Sequence, residues 1–142
     1  MAAVCTGCSY LTDFVVVNKS DESVVVLYAL ANQTNTAAPS RVPLIPAVKP
    51  VPYVHNEEPW TELAPAEYQF DPQKRVVTLI LQPNQAVRIA QHNLIDGKVS
   101  SAEFSIREIE IRGRERQMNL KDNRLFDSFV PESKKVYALT YN

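Results

Sequence analysis

The chain has little glycine, little histidine and little cysteine, and each shortage closes off a class of chemistry. Its three glycines, Gly7, Gly97 and Gly113, lie far apart, so no glycine-rich loop is available to cradle a phosphate or a dinucleotide. The two histidines, His55 and His92, have no partner nearby in sequence, and neither a G-x-S-x-G elbow nor an H-E-x-x-H pair occurs. No apolar run approaches the roughly 20 residues that a transmembrane helix needs. Charge of neither sign predominates: fifteen basic residues against sixteen acidic give a formal net charge of −1. That balance argues against nucleic-acid binding by neutralising many phosphates, and against a polybasic membrane-surface protein. Asp21-Glu22 and Glu57-Glu58 read as solvated turn charges rather than a catalytic pair or a calcium site. These shortages lead to the expectation of a protein that is not an enzyme and holds no metal or cofactor.

What is present points to an all-β domain. At 142 residues with a 45% apolar fraction, the chain is long enough to bury a core without disulfides. Asp13–Val17 (DFVVV) and Ser23–Leu30 (SVVVLYAL) are rich in β-branched and aromatic residues, and the polar Asn18–Glu22 between them suits a hairpin loop. The second of these strands is apolar on both faces, as a central strand would be. Arg75–Leu81 and Gln85–Ala90 read as a second hairpin or as two strands in facing sheets. His92–Ser101 reads as loop, with Asp96-Gly97 at its turn. Glu103–Arg112 alternates but changes phase: Phe104 and Ile106 share one parity, Ile109 and Ile111 the other. A single-residue phase change predicts a β-bulge near Arg107–Glu108. Gln117–Phe129 ends in a short helix, and Val136–Tyr141 closes the chain as a strand with Tyr137, Leu139 and Tyr141 on one face. About six or seven strands without α/β alternation predict an antiparallel β-sandwich, loosely immunoglobulin-like.

Eight of the ten prolines fall between Pro39 and Pro72. Proline excludes a long helix there and confines strands to edges and short pieces. The stretch from Ala31 to Gln69 is therefore expected to be a long irregular segment, broken or polyproline-like, with at most one helical turn before Pro65.

The two cysteines stand three apart in the first eight residues, Cys5-Thr6-Gly7-Cys8. The C-x-x-C form allows a redox pair or half of a zinc site, but no βαβ pattern follows it and no paired ligands accompany it. Small residues, then Gly, then Cys, after the apolar Ala2-Ala3-Val4, resemble the lipobox of bacterial envelope lipoproteins. Cys5 stands where leucine is commonest in that family, and Ser9 follows the cysteine as it often does there. The resemblance covers residues 2–9 and implies lipid attachment at Cys8, a membrane-anchored protein and an envelope protein partner. A signal peptide needs a basic start and a longer apolar segment, so the stretch is read as the tail of an export signal that begins upstream of Met1. Residues 1–12 are then signal remnant and tether, and 13–142 one β-sandwich domain.

Two further groups bear on function. Tyr53, Trp60, Tyr68 and Phe70 lie in or beside the proline-rich segment. They could stack on a sugar, making the domain a carbohydrate-binding module, or pack across an open sheet face as core. Arg107, Arg112, Arg114 and Arg116 form the densest basic patch. The last three share a parity, which suits an anionic partner, but Glu103, Glu108, Glu110 and Glu115 are interleaved and suit ion pairs on a solvated face. The readings carried forward are a non-catalytic envelope domain in protein interaction or structural support, a carbohydrate-binding module, and a cytosolic metal or redox protein using Cys5 and Cys8.

Overall fold

Two strands that each carry three consecutive valines organise the fold by entering different sheets. The computed structural model describes residues 9–31, 44–56, 58–95, 104–133 and 135–142. Its strands are β1 (Ser9–Asn18), β2 (Val24–Leu30), β3 (Ala47–Pro50), β4 (Thr61–Glu62), β5 (Tyr68–Asp71), β6 (Val76–Leu81), β7 (Gln85–Ile95), β8 (Ile106–Arg112), β9 (Gln117–Lys121), β10 (Val130–Pro131) and β11 (Val136–Tyr141). One short helix, α1 (Asn123–Asp127), links β9 to β10. A six-stranded sheet runs β10-β11-β1-β7-β3-β4 and a five-stranded sheet β5-β6-β2-β8-β9, so the domain is an all-β sandwich. Neighbouring strands are antiparallel except β1 and β11, the first and last of the chain, which pair in parallel from Asp13↔Val136 to Asn18↔Tyr141.

The expected hairpin between β1 and β2 does not form. Asn18–Glu22 is an arch that carries the chain from the middle of one sheet to the middle of the other. Asn18 explains why. Its side chain is fully buried, and its amide nitrogen lies 2.8 Å from the carbonyl of Glu22 and 3.2 Å from those of Leu81 and Gln82. Its side-chain oxygen accepts from the Ser20 amide and hydroxyl. From the end of a strand in one sheet, this asparagine thus satisfies backbone groups of the arch, of β6 in the other sheet and of the β6–β7 connection. β6 and β7 also divide between the two sheets, the second of the two arrangements their sequence allowed.

The bulge falls where the phase change predicts it. On β8, Ile106 pairs with Leu30 and Glu108 with Ala29, leaving Arg107 without an opposite residue. That extra residue turns Phe104, Ile106, Ile109 and Ile111 all toward the core, which they share with Phe14, Val26, Tyr28 and Leu79. Burying each such side chain contributes about 1.5–3 kcal/mol.

Elsewhere the structure corrects the boundaries. β1 begins at Ser9, so Tyr10, Leu11 and Thr12 are not a tether but pair with Leu94, Asn93 and His92. β7 runs through Ile95, so His92 sits in a strand and not in a loop. Asp96-Gly97 and Glu103 lie outside the described residues. The helical turn near Pro65 starts at that proline instead of ending there, as the 3-10 turn Pro65–Glu67, because proline suits the first position of a helix. The proline-rich segment supplies β3, β4 and β5, all short and two of them at sheet edges.

The proline-rich segment also covers the outside of the six-stranded sheet. Val15, Val17, Ala86, Val136 and Ala138 form a second buried cluster on that outer face, with Val54 in it and Val51 and Trp60 packed against it. A layer of irregular chain therefore makes the sandwich three layers thick on this side.

Candidate functional site

The strand registers give the domain two poles. Ser9, Ile95, Ala31, Ser105 and the β9–α1 junction lie at one; the Asn18–Glu22 arch, Asn84, the β8–β9 turn and the C-terminal Asn142 lie at the other. The ten residues of β1, at about 3.3 Å each, separate them by roughly 30 Å.

Arg112, Arg114 and Arg116 gather at the C-terminal pole. Arg112 ends β8, while Arg114 and Arg116 lie in the turn to β9, so a common strand parity does not describe them. Two of the three are engaged through their side chains. Arg112 pairs with Glu110 at 2.8 Å. Arg116 donates to the Asn142 carbonyl at 2.6 Å and lies 5.2 Å from the Tyr141 ring centroid. Arg114 is exposed, and its backbone N–H donates to Glu22 Oε1 at 2.8 Å. Arg107 is not part of this group, since the bulge that holds it lies toward the N-terminal pole.

The residues that shape this pole are ones the sequence reading passed over. Gly113 is required by close approach: a Cβ there would lie 2.0 Å from the Tyr141 hydroxyl oxygen and 2.4 Å from Glu22 Oε1. Tyr141 in turn donates to the Arg116 carbonyl at 3.1 Å. Glu22, read as a solvated turn charge, instead ties the arch to the β8–β9 turn. The one signal available beforehand was that Gly113 is one of only three glycines.

The aromatic residues do not form one platform. Trp60 lies on the outer face of the six-stranded sheet, where the Lys49 ammonium is 5.0 Å and the Arg88 guanidinium 5.6 Å from its ring centroid. Tyr68 and Phe70, on β5, pack instead against the core between the sheets. Tyr53 belongs to the 3-10 turn Val51–Tyr53 on the Trp60 side. Lys49 is only 4% exposed and donates to the Asn56 carbonyl at 3.0 Å. Cation–π contact with Trp60 helps to hold a lysine buried at this depth.

The two histidines lie apart, His92 among aromatic rings and His55 on the surface. His92 bonds to the Ser105 hydroxyl at 2.9 Å, and its ring lies 5.7 Å from Phe14 and 5.1 Å from Phe104, within a cluster of rings that includes Phe126, Phe129 and Tyr137. His55 meets Glu132 at 2.7 Å and so fastens the covering segment to the chain beside β10. Tyr28, at the centre of the five-stranded sheet, has a buried hydroxyl with no partner among the described residues. Burial first, and Tyr68 second, push its phenol above the ordinary tyrosine range. Cys5 and Cys8 lie outside the described residues.

The N-terminal pole has its own surface. Leu11 is 54% exposed there. Among the described residues, exposed Lys74, Arg107, Lys121, Arg124 and Lys135 lie toward that end, together with Asp71, Asp122, Asp127 and Glu132. In comparisons with known proteins, no family model, no curated protein and no solved structure matches the chain.

Proposed function

We propose that this chain is a non-catalytic cell-envelope domain, lipid-anchored through Cys8, that serves protein interaction or structural support. The observation that carries the reading is the character of the N-terminal pole. The residue after Cys8 opens a central strand there, on the same side as an exposed leucine and the exposed basic side chains of Lys74, Arg107, Lys121, Arg124 and Lys135. An acyl chain on Cys8 would seat that pole on the bilayer, where basic side chains gain from anionic headgroups. Arg112, Arg114 and Arg116 would then stand roughly 30 Å from the surface, presented to a partner and out of reach of the headgroups of the same membrane. The many polar groups spent on architecture, among them Asn18, Glu22, His55 and His92, support a binding or structural role over a catalytic one.

The test is lipid labelling. The gene, expressed in a bacterium with its upstream in-frame codons, is fed a clickable palmitate, and wild type is compared with Cys8→Ala. Label on wild type and none on the variant is the expected result. An unlabelled wild type with full expression would overturn the reading.

A further inference from the structure

The four sheet edges are not equally protected. β4 and β10, the edges of the six-stranded sheet, have two residues each, and β10 contains Pro131. β5 has four residues and is bounded by Pro65 and Pro72. β9, QMNLK, has five residues, no proline and no irregularity in its register with β8. Short edges, edge prolines and edge lysines are devices against pairing with another chain; β9 is the longest of the four edges, has no proline and carries of these devices only Lys121.

The hydrogen-bond directions on β9 follow from its two ends. The Gly113 N–H donates to Arg116 O, and the Asp122 N–H donates to Arg107 O. Both are hydrogen-bonded pairs of one register, so alternation makes Ile111/Met118 and Ile109/Leu120 hydrogen-bonded as well. The backbone groups of Gln117, Asn119 and Lys121 therefore point outward, along an edge that no described strand covers.

We infer that this edge pairs with β9 of a second copy, antiparallel about a two-fold axis through Asn119. That register sets Asn119 opposite Asn119 and Gln117 opposite Lys121 of the partner, and each such pair exchanges two backbone hydrogen bonds. On the core side it sets Met118 opposite Leu120, closing the half-buried flanks of two apolar residues against each other. On the outer side, β8 completes each row, since Glu108 pairs with Lys121, Glu110 with Asn119 and Arg112 with Gln117. Across both copies the rows read Glu–Lys–Gln–Arg, Glu–Asn–Asn–Glu and Arg–Gln–Lys–Glu. No like charges come to lie side by side. The contact is small, at the low end of specific interfaces (below about 1,200 Å²), so association belongs at micromolar concentrations. The copies run head to tail, and if Cys8 is lipidated the pairing joins facing membranes rather than neighbours in one.

The test uses the full chain with Cys5 and Cys8 changed to Ser, so that it does not depend on lipid attachment. Sedimentation over a concentration series should show a monomer–dimer equilibrium. Asn119→Pro should abolish it while leaving circular dichroism and the thermal transition nearly unchanged, because it removes an outward N–H from an edge strand and one exposed side-chain contact, that of Asn119 with Glu108. Asn119→Cys should oxidise to a covalent dimer, and Gln117→Cys alone should not. A chain that is monomeric at hundreds of micromolar, or a dimer that survives Asn119→Pro and shows no cross-link at Asn119, overturns the inference.

Discussion

β1 and β2 each carry three consecutive valines, and the two runs meet different fates on their outward sides. In the six-stranded sheet, Val15 and Val17 point away from the sandwich and are nonetheless buried, because Val51, Val54 and Trp60 lie across them. In the five-stranded sheet, Val25 points away and is half-buried, beside Ile80, which is 59% exposed, and Arg112. The run of three valines is the same. The difference comes from a proline-rich segment more than thirty residues away, which covers one face and leaves the other to solvent. A valine's burial in this domain is therefore set by which sheet its strand joins.

The largest test of that contrast is a charge placed on each run. Val15→Asp should cost more than about 4 kcal/mol, or prevent folding, since it buries a carboxylate with no room for water. Val25→Asp should cost about 1 kcal/mol or less, because the new carboxylate is partly solvated and lies opposite Arg112. Urea unfolding of the two variants measures both. Removing the cover itself comes next. Trp60→Ala should destabilise by about 2–3 kcal/mol, below the full cost for a buried tryptophan since the ring is half-buried. Ile80→Ser on the bare face should stay within about 0.5 kcal/mol of wild type.

A smaller effect of opposite sign is expected inside the five-stranded sheet. Tyr28→Phe removes a buried hydroxyl with no partner among the described residues and should stabilise by about 1 kcal/mol. The same group links stability to alkaline pH. The folded state holds the phenol neutral above its ordinary range, so its contribution is complete below the ordinary tyrosine pKa and is lost as pH rises beyond it. Tyrosinate absorbance should show one tyrosine ionising only with unfolding, and Tyr28→Phe should remove that component. The smallest effect is at the β5–β6 turn. There the Lys74 and Gln73 N–H groups donate to Asp71 and, together with the Lys74 charge, hold its carboxyl below the usual aspartate range. This contribution is present at neutral pH and lost on acidification. Amide shifts of Gln73 and Lys74 should follow the Asp71 titration, and Asp71→Asn should abolish the response.

How much of this was readable depends on how local each feature is. The bulge at Arg107 shows in the sequence because two alternating runs of opposite phase can share one core only with an extra residue between them. The positions of β1, β2, β6, β7, β8 and β11 show because β-branched and aromatic residues cluster in them, whereas the short β3, β4, β5, β9 and β10 do not show. The arch does not show, because Asn18–Glu22 has the polarity of a hairpin loop and the carbonyls that Asn18 satisfies come from Leu81 and Gln82, more than sixty residues on. The covering role of the proline-rich segment was legible as one of two options for its aromatic residues. That Trp60 would take it while Tyr68 and Phe70 turned to the other core was not. Nor could the sequence gather Arg112, Arg114 and Arg116 at the pole opposite Ser9, since that depends on the direction in which β8 crosses the sandwich.

The parallel pairing of β1 with β11 has a mechanical consequence. A pull on the N-terminal end of β1 and on the C-terminal end of β11 is directed along the ladder, toward opposite poles. All six pairs from Asp13↔Val136 to Asn18↔Tyr141 then resist together in shear, whereas an antiparallel hairpin pulled at its open end would unzip one pair at a time. A domain held at its first strand and loaded through its last would yield late and all at once.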